Sequence, residues 1–569
     1  MRMHPLSAVA AAAVVASLAL VSCGGGSGST STTVVTPPVL QELQNARYIV
    51  TFVDTITGKP IADPLKVSFV GAATLKAADG TALNDKTVTT SSGSVFVNAD
   101  FVSSANDFSI QVADAGTQGW VPTGTRVVGT AGLKGDQQVE LRMVNTKAAA
   151  AVTASPDPVA MAVVTGAASA TGALTAPVAL TTAPKTVTNS EGLQETIGTS
   201  SLAIATGTVG TTAAGTPAAP GALTVSNTYF SNANAESLTA FPGGFAATVE
   251  VPAANTAVLN GVAPNAGSFI TAGFAQFNVT DSAGNAIKNF DKPLAVGIDL
   301  PKGTLDENGV ALVVGDQYPV WSYDDATGKW VFEKMGTVAE KSPVDPNNFT
   351  VQFTTTHLSS WNLDQFVNAC ATAKVNLVGR PAGDARSLTV DLMGPPGNRF
   401  AKRLQVTDSA LTLYNVPRIN GAIVVKDGDK EVGRVTNRNF CAAAIDVPVT
   451  LAPLPVGNVR IETFESCADG TKQRALAAAS KVVYVASGRT VSLGGYSGQA
   501  ASTDLFAQKV FSSIPTGAVT VQAQNPRTGA WVAASEISGG ATTSSVVTGG
   551  TTLFRFRFPM ECKVVSGGV

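Results

Sequence analysis

Short runs in which apolar and polar residues alternate recur along most of the chain. Leu65–Val70, Phe108–Val112 and Gln137–Val144 carry a period of two, and Tyr48–Val53 and Ser94–Val97 are strand-like apolar runs. Asp54–Pro60, Asp79-Gly80 and Ser91-Ser92-Gly93 interrupt it with turn residues. A period of two places successive side chains on opposite faces of a strand, and Gly, Asp and Ser clusters supply the reversals. The pattern returns in Val159–Val164, Val178–Thr182, Leu202–Thr211, Phe274–Thr280 and Leu294–Leu300. It continues through Ala373–Val378, Ser387–Met393, Ala410–Val416 and Gly421–Lys426. Many short strands at regular spacing predict an all-β chain of tandem antiparallel sandwiches.

The densest part of the pattern is Gly315–Asp364, which holds three of the five tryptophans. Pro319–Tyr323 and Trp330–Glu333 flank DDATGK (Asp324–Lys329), the composition of a hairpin connection. Phe349–Thr355 and His357–Leu363 follow as closing strands. Three echoes, Gly119-Trp120-Val121, Gly328-Lys329-Trp330-Val331 and Gly529-Ala530-Trp531-Val532, set a Trp-Val just after a turn glycine. Such a Trp can cover a sandwich end with a large apolar area.

Composition sharpens the class. Charged residues make up 14% of the 569 positions, where an ordinary soluble domain has about 25%. That favours strands and turns over surface helices, which need Glu, Lys and Arg. A net charge of −2 gives no electrostatic case for nucleic acid. The length accommodates roughly three to five domains.

The N-terminus reads as a targeting segment. Arg2 precedes an apolar run, Leu6–Leu20, too short for a comfortable membrane span. Leu20-Val21-Ser22-Cys23 resembles the bacterial lipoprotein box, which implies lipidation of Cys23 as the mature N-terminus. The other reading is an ordinary secretory signal with an incidental cysteine. The GGGSGSTSTT that follows is the composition of a flexible tether. Gly24, not Asp, after the lipidated position implies the outer membrane. Export makes disulfides the default for Cys370, Cys441, Cys467 and Cys562. Four cysteines allow three pairings, and Cys370–Cys441 with Cys467–Cys562 keeps each pair within one proposed domain. The chain lacks CxxC and its cysteines have no nearby His, which argues against a zinc site.

The expected organisation is a signal peptide (1–22), a lipidated Cys and tether (23–45), and a β-sandwich (46–145). An Ala/Thr-rich linker with first strands (146–194) and a central sandwich (195–366) follow, then two more sandwiches (367–453 and 454–569). GD-x-x-PVWSYD-x-x-TGKW followed by THLSSWNLD, in the central domain, resembles the extracellular region of cartilage intermediate-layer proteins and the astroprincin family. LTLYNVP (Leu411–Pro417) and FSSIPTGAVTV (Phe511–Val521) resemble the carboxypeptidase-regulatory-like, or transthyretin-like, sandwich, with SGSVFVNADF (Ser92–Phe101) as a weaker copy. These resemblances imply Ig-like or transthyretin-like sandwiches and no catalytic residues.

Candidate chemistry is sparse. His357 is the single histidine beyond His4, so a Ser-His-Asp site must use it. Its place in a strand beside Ser359 and Ser360 favours a structural role. HExxH, GxSxG, P-loop and dinucleotide motifs are lacking. Asp299, Asp316, Asp324, Asp325 and Asp364 fall at strand ends of one domain, where loops could gather them around Ca²⁺, although Asp is also an ordinary turn residue. The metal candidates are Asp316, Asp324 and Asp325, and otherwise no cofactor is expected. Trp321, Tyr323 and Trp330 lie on one hairpin, and the first two share a face. They could stack on sugar rings, or they could be core. The expectation is a non-enzymatic envelope lipoprotein, anchored by its lipid and presenting a row of sandwiches to a protein or polysaccharide. The alternative is a carbohydrate-binding accessory protein for polysaccharide uptake or matrix.

Overall fold

The strand Ala46–Asp54 enters the fold with almost no exposed residue. Tyr48, Val50 and Phe52 face the core of the first sandwich, and Ile49, on the opposite face, packs elsewhere. The structure is a computed structural model. It describes residues 46–55, 57–77, 80–101, 107–115, 118–129, 135–145, 159–188, 193–233, 235–245, 247–324, 327–381, 384, 386–395, 399–470, 472–486, 489–498, 505–538 and 545–560. Cys23, Asp325 and Cys562 lie outside the described residues.

In the first sandwich, Ala46–Asp54 runs antiparallel to Ser94–Asp100 and parallel to Gly135–Met143. The facing sheet has the order Thr87–Thr90, Leu65–Gly71, Asp107–Asp114, Thr123–Val128. The same plan recurs twice. In the third sandwich the later part of Ser360–Val378 lies between Ala410–Pro417 (antiparallel) and Ile445–Pro448 (parallel). The facing sheet is Ala401–Val406, Leu388–Met393, Asn420–Asp427, Lys430–Asn439. In the fourth, Val456–Ser466 lies between Ala507–Pro515 (antiparallel) and Thr551–Pro559 (parallel). It faces Arg489–Tyr496, Ala479–Ala486, Gly517–Gln524, Trp531–Ala533. With short extra pairings set aside, each unit puts its first strand between its fourth and seventh. Each facing sheet runs third, second, fifth, sixth. Among the described residues there are therefore three copies of one seven-strand topology, with a different domain between the first and second copies.

The LTLYNVP and FSSIP segments are the fourth strands of the third and fourth sandwiches. Asn415 and Ser513, each two residues before the proline, have φ of 50° and 57°. Non-glycine residues seldom adopt that region. The twist lets Val416 and Ile514 turn fully inward, and the proline, which lacks an N–H, ends the pairing.

The central domain is larger. A ten-strand run begins Val178–Thr181, Ser200–Ile204, Asn289–Pro301, Asn348–His357, Lys329–Glu340. It continues Gln317–Asp324, Ser360–Val378, Gly267–Thr280, Gly221–Phe230, Val159–Ala168. The two end strands are consecutive in the chain and joined by a tight turn, in which Ser169 N donates to Ala173 O (2.8 Å) and Thr175 N to Ala167 O (3.0 Å). The sheet thus curls around one core that includes Tyr229, Phe277, Leu294, Ile298, Val351 and Trp361. The Ala/Thr-rich stretch is sheet from Val159 onward: Val159–Ala168 pairs along its whole length with Gly221–Phe230.

Two expectations are revised. The boundary at 366/367 falls inside one 19-residue strand, Ser360–Val378, so the central and third domains share a strand. The sandwiches also do not form a simple row, because the fourth packs back on the first. Ile49, Phe96 and Ala479 form one buried cluster, with Tyr496 and Trp531 against it. Phe96 and Trp531 have ring centroids 5.3 Å apart. Asp136 takes Lys509 at 2.6 Å and Arg47 at 2.9 Å. Lys481 donates to Ser92 O, with its ammonium 4.6 Å from the Trp531 ring centre. The first sandwich meets the central domain through Gln111 Nε2 and the Tyr323 hydroxyl (3.0 Å) and through Gln276 Nε2 donating to Pro122 O (2.7 Å). Among the described residues no helix is long and apolar enough to cross a membrane.

Candidate functional site

The Trp-rich hairpin is the first candidate, and the structure places it in the interior. Gln317–Asp324 pairs with Lys329–Glu340, with a register shift between Val320 and Trp321. Trp321, Tyr323 and Trp330 are 0%, 2% and 0% exposed. Their polar atoms are engaged: Trp321 Nε1 donates to Asp364 O (2.9 Å) and Trp330 Nε1 to Pro242 O (3.0 Å). Phe241 stacks on Trp330 at 4.9 Å and 23°, and Phe269 meets Trp321 edge-on at 5.1 Å. A sugar ring would find no free aromatic face here, so the stacking site is withdrawn. The turn Phe241–Gly244 packs so closely that a Cβ on Gly243 (φ 73°) would lie 2.8 Å from the Tyr323 ring. Glycine is required there. Trp361, the third tryptophan of the stretch, belongs to the other core.

The carboxylates do not converge. Asp316 Oδ2 accepts from Val313 N (2.7 Å), and Asp324 Oδ2 from Thr327 Oγ1 (2.7 Å). Asp316 immediately precedes the eight-residue strand Gln317–Asp324 and Asp324 ends it, a separation of roughly 26 Å at about 3.3 Å per residue, too far to share one ion. Asp325 lies outside the described residues. Asp299 is committed to Lys341 (2.6 Å) and to Thr199 N (2.7 Å). Among the described residues no three His, Cys, Asp or Glu side chains are grouped to hold a metal.

Asp364 is different. It is fully buried, and neither carboxyl oxygen has a well-aligned hydrogen-bond donor. Burial pushes its pKa well above the ordinary carboxylate value, and Thr271 and Asn362 beside it offset only part of that rise. His357 Nε2 lies 3.1 Å from Glu333 Oε1, which also accepts from Ser322 Oγ (2.6 Å). Burial raises the Glu333 pKa, but these two contacts outweigh it and hold the carboxyl below its usual value. Ser359 Oγ donates to Tyr323 O. The histidine region is thus a packed sandwich end, with the His357 ring 5.0 Å from Trp361.

The cysteines are placed as follows. Cys370, in the shared strand, is bonded to Cys441, 71 residues on. Cys467 is also disulfide-bonded. Its neighbour Ser466 accepts from Met560 N (3.0 Å), the last described residue.

A site that the sequence did not reveal lies where the first, central and third domains meet. A cavity of about 270 Å³ is walled by Gly135–Met143 and Thr123–Val128 of the first sandwich. Residues 238–245 of the central domain and the strands Ala401–Val406 and Ala410–Pro417 complete it. Gly135–Met143, Thr123–Val128 and Ala401–Val406 are edge strands of their sheets. Arg126, Arg142, Lys402 and Arg403 line it together with Phe241 and Phe245. Arg126 pairs with Asp107 (2.5 Å), Arg142 with Glu140 (2.9 Å) and Arg403 with Asp391 (2.5 Å). Lys402 Nζ donates to the Tyr414 carbonyl (2.8 Å) and, among the described residues, has no carboxylate partner. Burial holds its pKa down to about 8. Burial, and then Tyr414, push the Tyr48 phenol up. The alternation in AKRLQV reads like any edge strand, and walls hundreds of residues apart in sequence leave no local signature.

No family model matches the chain, and no curated protein matches it. Solved structures with some likeness include a streptococcal ancillary pilin, 11% identical over 46% of this chain and 98% of that one, with a TM-score of 0.13. The TIE protein of Bacillus anthracis is 13% identical over 52% and 55%, with a TM-score of 0.12. The full-length major pilin RrgB of Streptococcus pneumoniae is 8% identical over 90% and 99%, with a TM-score of 0.11. At these scores the likenesses carry no argument about the chain's role.

Proposed function

We propose that the protein is a non-enzymatic structural or interaction module of the bacterial envelope, held by lipid on Cys23 at the outer membrane. The observation that carries this reading is the return of the fourth sandwich onto the first through Ile49, Phe96, Ala479 and Trp531. Aromatic contacts join domains at Phe96 with Trp531 and at Phe245 with Phe400. A body ordered in advance presents its surface to a partner without a further ordering cost. The tether from Cys23 to about residue 45 lets that body stand off the membrane. The transthyretin-like reading of the repeated sandwiches rests on LTLYNVP and FSSIP occupying the same strand position in two copies.

The test is complementation of a deletion strain, scored by envelope integrity and by membrane fractionation. The full chain and its His357→Ala variant should both restore integrity. Cys23→Ser should leave the membrane fraction and fail to restore it. Sedimentation of Cys23→Ser with membranes would refute the anchor. Loss of function on His357→Ala with an unchanged melting profile would refute the non-enzymatic reading.

A further inference from the structure

We propose that the cavity between the first, central and third domains binds a small organic monoanion. Its carboxylate would pair with Lys402 and its apolar body would lie against Phe241 and Phe245.

Charge is the first argument. Of the four cations lining the cavity, Arg126, Arg142 and Arg403 each have a carboxylate partner, and Lys402 has a neutral carbonyl. One positive charge is therefore left over in a partly enclosed space. An ammonium taken out of water without a counter-charge is costly, and a bound carboxylate removes that cost through a charge-assisted hydrogen bond. The depressed pKa of Lys402 is the mark of this cost, since no neighbouring charge contributes to it. The group without a carboxylate partner is a single ammonium, which matches one carboxylate.

Shape and lining are the second argument. A cavity of about 270 Å³ exceeds what one or two waters fill. Phe241 and Phe245, stacked on each other at 4.5 Å, give it an apolar wall. A site with one apolar wall and a few placed polar groups is the usual form for a small ligand. Phe245 also meets Phe400 of the third sandwich at 5.3 Å, so the wall is fixed by packing between domains. The walls come from three domains held together, so the site exists only in the assembled body.

The test is calorimetric titration of the full chain with benzoate, benzyl alcohol and benzylamine. Benzoate should bind saturably with one site, and benzyl alcohol and benzylamine at least about tenfold more weakly, the scale of one charge-assisted hydrogen bond. Lys402→Met should lose benzoate binding by a similar factor, and Lys402→Arg should retain it. Equal binding of benzoate and benzyl alcohol, absence of benzoate binding at millimolar concentration, or unchanged binding in a folded Lys402→Met variant would each overturn the proposal. Should Lys402→Met fail to fold, the benzoate and benzyl alcohol comparison on the unaltered chain decides.

Discussion

Asp364→Asn is expected to stabilise the protein, and to do so more as pH rises. In the native state Asp364 is buried without a well-aligned donor, and its pKa stands well above the ordinary value. The unfolded chain releases this proton near pH 4, at about 3.9. Above that value the native state binds one more proton than the unfolded state. Stability therefore falls with pH, by about 1.4 kcal/mol per unit, until the native carboxyl itself ionises. Below pH 4 both states are protonated and the effect vanishes. Tyr318, also buried, lies close enough to disfavour a second negative charge. Asparagine keeps the shape and removes the titration. The difference in Tm between variant and parent should be small at pH 4 and widen by roughly 2–4 °C for each kcal/mol in a domain of this size. Scanning calorimetry at pH 4, 5, 6 and 7 reads it directly. A difference that stays flat, or narrows as pH rises, would refute the buried neutral carboxyl.

Three further outcomes follow from the packing. Trp330→Ala should cost about 3–5 kcal/mol of stability, because it empties a fully packed aromatic site, and a chemical denaturation midpoint that hardly moves would contradict its burial. Cys370→Ser should lower stability by about 4 kcal/mol in the chain-entropy account of a closed loop, the paired cysteines standing 71 positions apart; an unchanged Tm under oxidising conditions would contradict the bond. Ser513→Gly should be tolerated, and Ser513→Val should cost about 1–2 kcal/mol through its left-handed backbone, so equal stability of the two would place Ser513 in ordinary extended geometry.

The alternation in Leu65–Val70 and Phe108–Val112 was enough to locate strands within a residue or two of Leu65–Gly71 and Asp107–Asp114. Thr87–Thr90 and Thr123–Val128 are unmarked in the sequence, because threonine and the single Gly124 carry no apolar alternation. The contact between the first and fourth sandwiches left one legible trace. YIVTFV (Tyr48–Val53) is almost continuously apolar, which marks a strand buried on both faces. Ile49 is the residue that fills the second face. The partner side chains Phe96 and Trp531 look like ordinary core residues in sequence, so their meeting could not be read. The aromatic hairpin misled in the opposite direction. Trp321, Tyr323 and Trp330 are as concentrated as a binding site, yet their density serves the join between a curled sheet and the segment 231–266 laid over it. Lys402 carried no signal because its significance lies in the carboxylate it lacks among the described residues.

Closure of the body through its first and fourth sandwiches is tested by combining Ile49→Cys with Gly494→Cys in one chain. A Cβ at Gly494 would lie 3.2 Å from the Ile49 Cβ, close to the roughly 3.5–4.5 Å of a disulfide. Mass spectrometry of unreduced peptides from the exported double variant should recover a disulfide between the two substituted positions in nearly all molecules. Free thiols at both positions in folded protein would show the two sandwiches apart and contradict the account.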